Sequence, residues 1–385
     1  MRCWFGFRFV VPVILTVSCS VAVTTKKNDS DKAIAHQWPV SYPEPDGELG
    51  EMLQDGEIQA TQDVINVIHK QLGERYSGSR TLRDAHPKSH GCVSALFDVD
   101  PVVNPQLARG VFSRGAQFKA IVRYSNGSGD PTVPDIKGDV RGMAIKLLNV
   151  PGRKLLDVES EATTQDFIMI NYPVFVIADP KEYVTVIEKV GSSNVFAKLS
   201  LLSALGIKGA KLASAAQSSQ IASPLQATYF TAVPYQLGVG SGRLAVRYKA
   251  EPCAINGKDK IPENTDDRDY LRHQMRSYFQ RQDGCYDMYG QVRVDGSMSV
   301  EDSRDEWPSP WQKLATLQMR GKDQDIAETG DLSDLRNRKC DSLSFNPWHA
   351  LPEHKPLGAM NRMRKVIYEN ISAFRHSNNG EKRLE

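Results

Sequence analysis

Apolar and polar positions alternate through the middle of the chain. In AQFKAIVRYSNG, residues 116–127, Val122 and Tyr124 fall on one face of an extended segment and Arg123 and Ser125 on the other. The Asn126-Gly127 pair then supplies a turn. VSALFDV (93–99), RGMAIKLLNV (141–150), DFIMINYPVFVIAD (166–179), GRLAVRYKAEP (242–252), GQVRVDG (290–296) and SPWQKLATLQM (309–319) read as further strands. Helical spacing marks EIQATQDVINVIHKQL (57–72), PKEYVTVIEKV (180–190), DYLRHQMRSYFQRQ (269–282) and LGAMNRMRKVIYENISAFRH (357–376). A strand-rich centre with helices before and after it predicts an α+β fold whose single core is a barrel.

Residues 194–220, NVFAKLSLLSALGIKGAKLASAAQSSQ, are small and apolar and read as helix and turn. Such a stretch ordinarily packs inward. The competing readings are that it lines an apolar passage or borders a membrane surface.

The amino end stands apart. Arg2 and Arg8 precede an uncharged run from Phe9 to Val17, too short to cross a bilayer and patterned as a signal peptide. The run closes on LTVSC, which resembles a bacterial lipobox with Cys19 as the residue to be lipidated, although Thr16 stands where leucine is usual. A lipoprotein, a cleaved secretory peptide and an uncleaved anchor all stay open. The expected organisation is a signal peptide over 1–19, a polar tether over 20–50 and one domain over 51–385. The product is exported, either to the periplasm or as a membrane-anchored lipoprotein, with secretion as the alternative.

With 385 residues the domain can bury a large core, and 48 basic against 46 acidic residues leave no basic stripe for nucleic acid. Beyond Cys3 and Cys19 the cysteines are Cys92, Cys253, Cys285 and Cys340, with no metal-finger spacing. Export permits disulfides, and Cys253 with Cys285 is the pair to test first among three pairings.

Candidate chemistry lies at three places. His86 and His90 precede the strand VSALFDV, Arg123 and Ser125 share a strand face, and RKVIYENISAFR sets Tyr368 between Arg364 and Arg375. On a helix those last three side chains share one face, which by itself describes an ordinary surface helix.

Together, in order along residues 80–376, these segments resemble the haem catalase family, and more closely its short branch of peroxide-handling enzymes and allene oxide synthases. RDAHPK matches the family's distal R-x-x-H-x-[RK] with Arg83, His86 and Lys88. VRYS matches V-R-[FY]-S, DVRGMAIK matches D-x-R-G-[FM]-A-[VI]-K, NYPVF matches N-x-P-[IV]-F, and RKVIY matches the proximal R-x-x-x-Y. The resemblance implies an antiparallel barrel with surrounding helices and a pocket for haem b. His86 would be the distal base, Ser125 its orienting group, and Asn171 the amide that holds peroxide. Arg83, Arg123, Arg364 and Arg375 would be cofactor partners, and Tyr368 the axial iron ligand; tyrosine is the catalase ligand by general knowledge of haem proteins. A phenol with an ordinary pKa of about 10 needs metal and positive charge to ligate as phenolate.

Three departures matter. The family's asparagine lies three residues before the proline, where this chain has Ile170, so either Asn171 shifts into the pocket or the amide is missing. HPKSHG is one residue longer than usual, which keeps His90 as an alternative distal group. ENIS follows Tyr368, and the family's long wrapping and carboxyl-terminal segments are absent, so neither its tetramer nor NADPH is implied. The expected activity is reduction or dismutation of hydrogen peroxide or organic hydroperoxides. Hydroperoxide rearrangement and a non-catalytic haem carrier or sensor are the alternatives, and the oligomeric state is open.

Overall fold

The computed structural model of the chain describes residues 30–189, 195–263 and 265–382. The expected signal peptide and Cys19 lie outside them.

Nine strands form one antiparallel sheet: β1 (Ser89–Val99), β2 (Gln117–Asn126), β3 (Arg141–Leu148), β4 (Thr164–Ile170), β5 (Tyr229–Phe230), β6 (Tyr235–Leu237), β7 (Leu244–Pro252), β8 (Gly284–Val292) and β9 (Trp311–Met319). They run in the order β5-β4-β3-β2-β1-β9-β8-β7-β6. The short β5 pairs with β4 at Ile170–Phe230 and with β7 at Tyr229–Ala250, which closes eight strands into a barrel and leaves β6 on the flank of β7. Closure removes exposed sheet edges and gives each strand one inner face. Phe97, Tyr124, Phe167, Tyr229, Tyr248 and Tyr286 fill the interior and are fully buried. The Tyr229 and Tyr286 hydroxyls both donate to the Pro224 carbonyl, at 2.9 and 2.7 Å, so these phenols are buried with partners.

Around the barrel lie α1 (30–35), α2 (Glu57–Arg75), α3 (Pro180–Lys189), α4 (Val195–Gln217), α5 (Tyr270–Phe279), α6 (Leu335–Ser342) and α7 (Ala359–Asn379). Helices α2, α3, α4 and α7 form one layer in which α2 packs on both α3 and α7, and α3 packs on α4. The α+β barrel expected from the sequence is the architecture found.

Three departures from the expected boundaries bear on the fold. The domain begins earlier than residue 51: Trp38, Val40 and Leu49 are buried, Trp38 Nε1 donates to Gln62 of α2 at 2.8 Å, and Arg243 forks onto Asp46 at 2.8 and 2.9 Å. The described part of the 20–50 stretch is therefore packed rather than a free tether, because its few large apolar side chains have a groove to enter. The strand expected over 166–179 ends at Ile170, just short of Pro173, which has no N–H for a ladder. The strand expected over 290–296 is instead the end of β8, which starts at Gly284 and stops at Val292; the Arg293 guanidinium then donates to the Met298 and Leu49 carbonyls at 2.8 and 3.2 Å.

Among the described residues two disulfides are present. Cys253–Cys285 joins the end of β7 to the start of β8, and Cys92–Cys340 joins β1 to α6. The first is the pair singled out from the sequence.

Candidate functional site

Tyr368 owes its position to the way α7 begins. Gly358, at φ 85°, makes the entry turn, where any Cβ would lie 2.5 Å from the Val300 carbonyl oxygen. The amides of Gly358 and Ala359 donate to Glu51 and Glu301, each at 2.7 Å, so negative charge sits at the positive end of the helix. Arg362, fully buried one turn on, bonds Glu57 at 2.7 and 2.8 Å, Glu51 at 2.7 Å and Glu301 at 3.0 Å. Burial opposes its charge, but the carboxylates, Glu57 foremost, outweigh that and hold it above its ordinary pKa. This clamp locks α7 to the first turn of α2 and so fixes the face carrying Tyr368.

That face closes a cavity whose floor is the outer surface of β2–β4 and whose walls come from α2, α3, α7 and residues 343–345. His86, Arg83, Arg123, Ser125, Tyr368 and Arg375 all line it. The remaining lining is largely apolar, with Ile68, Ile168, Ile187, Ile367 and Ile371.

His86 stands on the loop before β1 in a left-handed conformation, φ 61°, unusual for a residue with a Cβ. Two contacts hold it there. Arg123 Nη2 donates to the His86 carbonyl at 2.7 Å, and the ring Nδ1 lies 3.1 Å from Ser125 Oγ. The space for the ring exists because Gly142 faces Ser125 across the β2–β3 ladder. A Cβ on Gly142 would stand 2.6 Å from His86 Nδ1 and 2.8 Å from Ser125 Oγ. Burial, then the Arg123 charge, push the His86 pKa down to about 4, so at neutral pH the imidazole is uncharged and Nε2 is left for the cavity.

His90 has a different place. It is buried with Nε2 2.9 Å from Asn126 Oδ1 and Nδ1 3.8 Å from Asp135, and it does not line the cavity. Lys88 also turns away, pairing with Asp135 and Asp269 at 2.8 Å each and pinning the His86 loop to its neighbours.

At one end of the cavity four guanidinium groups gather around few carboxylates. Asp341 accepts from Arg83 at 2.6 Å and lies 3.3 Å from Arg80 and 3.6 Å from Arg375, while Arg80 also pairs with Glu381. Arg123 has a buried Nε with no hydrogen-bond partner. Burial foremost, with mutual repulsion including that from Arg83, lowers the pKa of Arg123 well below its usual value and that of Arg375 to about 9. Such an excess of buried positive charge suits an anionic group entering from the cavity.

Arg364 is buried and does not line the cavity; its guanidinium lies 4.7 Å from the Phe175 ring centroid. Asn171 is also outside: its Oδ1 accepts the Arg141 amide at 2.6 Å and its Nδ2 donates to Ser219 Oγ at 3.0 Å. The cavity therefore has no amide from this segment, and the option of Asn171 shifting into it is not what the structure shows. Among the described residues no set of three His, Cys, Asp or Glu side chains is arranged to hold a metal. Gly142 and Asp341 were not singled out from the sequence. The first sits inside the quoted DVRGMAIK motif; the second carries no sequence signal, because its arginine partners come from distant segments.

Among the solved structures similar to this chain are three catalases. The chain is similar to a fungal catalase (16% identity, TM-score 0.61, covering 80% of this chain and 62% of that one) and a bacterial catalase (15%, 0.62, 83% and 63%). Catalase A from Saccharomyces cerevisiae is similar at 16% identity and TM-score 0.54, covering 82% and 63%. No family model matches the sequence, and no curated protein matches it. The chain spans under two thirds of the length of those solved structures, and at this identity the likeness is one of fold: the chain has a catalase-like fold.

Proposed function

We propose that the chain is a haem-dependent enzyme of peroxide metabolism, holding haem b in the cavity between β2–β4 and α7. The observation that carries this reading is the meeting, in one largely apolar cavity, of a neutral His86 braced by Ser125 and the phenol of Tyr368, with surplus guanidinium charge at one end.

The residues fit that group. Gly142 and Ala144 leave a shallow strand floor for a flat ring, and the isoleucines give it apolar contacts. Arg83, Arg123 and Arg375, with a single Asp341 among them, suit the two carboxylates of haem b. Tyr368 offers the phenol oxygen that would hold the iron, and Arg364, one helical turn before it, would supply positive charge favouring the ionised phenol. When bound, haem supplies the iron that exchanges electrons as the O–O bond breaks.

The protein's share is proton handling and exclusion of water. With Nδ1–H donating to Ser125 Oγ, His86 presents the Nε2 lone pair to the cavity. Nε2 takes a proton from one peroxide oxygen and returns it to the other, so that the departing oxygen leaves as water. Arg123 keeps the His86 backbone in place through its carbonyl. The apolar lining favours a second reading, rearrangement of an organic hydroperoxide, because buried methylenes each contribute about 0.8 kcal/mol.

Tyr368→Phe tests the cofactor assignment, since it keeps ring volume and removes the ligating oxygen. The expected outcome is a protein that folds but loses haem or shows an altered ferric spectrum. Full haem content with an unchanged spectrum refutes Tyr368 as ligand. Oxygen evolution from hydrogen peroxide, compared with consumption of an alkyl hydroperoxide at equal haem, separates the two reactions, and inactivity toward both favours a carrier.

A further inference from the structure

We propose that α4, with the corner at Gly206 and Ile207, docks on an anionic phospholipid surface. From Val195 to Gln217 the helix reads VFAKLSLLSALGIKGAKLASAAQ, with no acidic residue and three lysines, Lys198, Lys208 and Lys211. A helix apolar in nearly every direction belongs in a core or at a membrane. This one lies outside the barrel, and its main neighbour is α3.

Among its described side chains, from Ser203 to Gln217, one edge is taken up by the protein. Leu205 and Ala216 are buried, and a Cβ on Gly209 would stand 3.2 Å from the Val176 carbonyl oxygen. The opposite edge is open. Gly206, at φ 60° and ψ −178°, breaks the helix into two arms with nothing within 4 Å of a Cβ placed there, and Ile207 at the corner is 93% exposed. Lys208 and Lys211 are exposed beside it, the former paired with Asp305. The same 301–305 segment receives the Met52 amide on Glu301 at 2.8 Å. Met52, exposed by 67%, thus stands at the other end of that segment.

An exposed isoleucine at a corner, on a helix with no acidic residue of its own and with Lys211 exposed beside it, suits a surface that enters the headgroup layer, although Lys208 is already paired with Asp305. No helix among the described residues is long and apolar enough to cross a membrane, so the element lies on the bilayer rather than spanning it. A second copy of the chain is a poorer occupant, since a two-fold contact would set like charges against each other. Docking would bring α3, whose Tyr183 and Ile187 line the cavity, next to the lipid.

The test is flotation of the full chain with vesicles of phosphatidylcholine alone and of phosphatidylcholine with phosphatidylglycerol, in low and high salt. Binding is read by protein recovery, independently of peroxide turnover, so failure of the functional reading leaves this result intact. Expected is binding to the anionic vesicles that weakens with salt and falls about tenfold in Ile207→Asp and again in Lys211→Glu. Thermal melting confirms that both variants fold, and Lys211→Arg should retain binding. Equal vesicle binding by the wild type and both variants overturns the proposal, because the amino-terminal segment then accounts for all attachment. Absence of binding to either vesicle overturns it too, as does a wild-type dimer in light scattering that Ile207→Asp dissociates.

Discussion

His86 and His90 lie four residues apart, are both uncharged at neutral pH, and do opposite things. Burial pushes the pKa of His90 to about 3 and that of His86 to about 4. His90 bonds Asn126 through Nε2 and has Asp135 3.8 Å from Nδ1, and around them Asn126 Nδ2 donates to Asp135 at 2.7 Å while Arg141 donates to Asn126 Oδ1. His86 has one ring nitrogen on Ser125 and the other toward the cavity. A histidine enclosed in a buried polar network holds a fold together, whereas one with a ring nitrogen toward a cavity keeps a lone pair for chemistry. Perturbed pKa alone would not separate them, since both are shifted the same way.

The comparison breaks most sharply at His86. His86→Gln keeps a polar side chain but removes the base, and peroxide turnover at equal haem is expected to fall by about 10²–10⁴-fold. His90→Gln should leave turnover per folded molecule within a few-fold. The reverse ranking would make His90 the reacting group and this account of the cavity wrong.

Gly142→Ala sharpens it with a smaller effect. The new methyl would overlap the His86 ring and the Ser125 hydroxyl, so the histidine must leave its place or the β2–β3 ladder must yield. A loss of about 10²-fold in turnover with haem still bound is expected, since small misplacement of a proton-transfer group costs that much. Unchanged turnover would mean that the imidazole is not held against Ser125 during the reaction.

The two histidines also show how far the sequence could be read. The alternation that puts Arg123 and Ser125 on one strand face, the α+β barrel, and the order of motifs from Arg83 to Tyr368 were all legible, because each is written within a short window. The motif spacing favours His86 over His90, and His86 is the one that lines the cavity, although a loop with one extra residue could have presented either. Only the β1–β2 and β2–β3 registers, with the irregularity between Ser89 and Gly91, decide it. Asn171 misled for the same reason: its side chain found the Arg141 amide at 2.6 Å, a partner across a turn that spacing does not reveal. Residues 30–50 looked like a tether because polar composition hides three anchoring apolar side chains, and the value of Asp341 to the arginines depends on contacts from segments far apart in the chain.

The smallest expected effect is on stability against pH. His86, His90 and the fully buried His354, with a pKa pushed to about 3 by burial, all have folded values below the ordinary 6.5. In the unfolded chain each begins to take up a proton near pH 6.5, while the folded chain holds them neutral until about 4 or below. The unfolded state therefore binds more protons in that window, and stability is fully present above about pH 6.5 and declines as pH falls toward 4 and 3. Melting temperature measured from pH 8 to 4 should be flat at first and then drop. His90→Gln removes one titrating group and should flatten the drop, whereas it should lower the pH 8 value through the disturbed Asn126 and Asp135 contacts. The His86→Gln variant should flatten the drop to a similar degree with less loss at pH 8, because its ring has a single side-chain partner to give up. If both variants keep the wild-type slope, acid sensitivity comes from other groups, and the shared burial of the two histidines as neutral rings is not what the protein's stability registers.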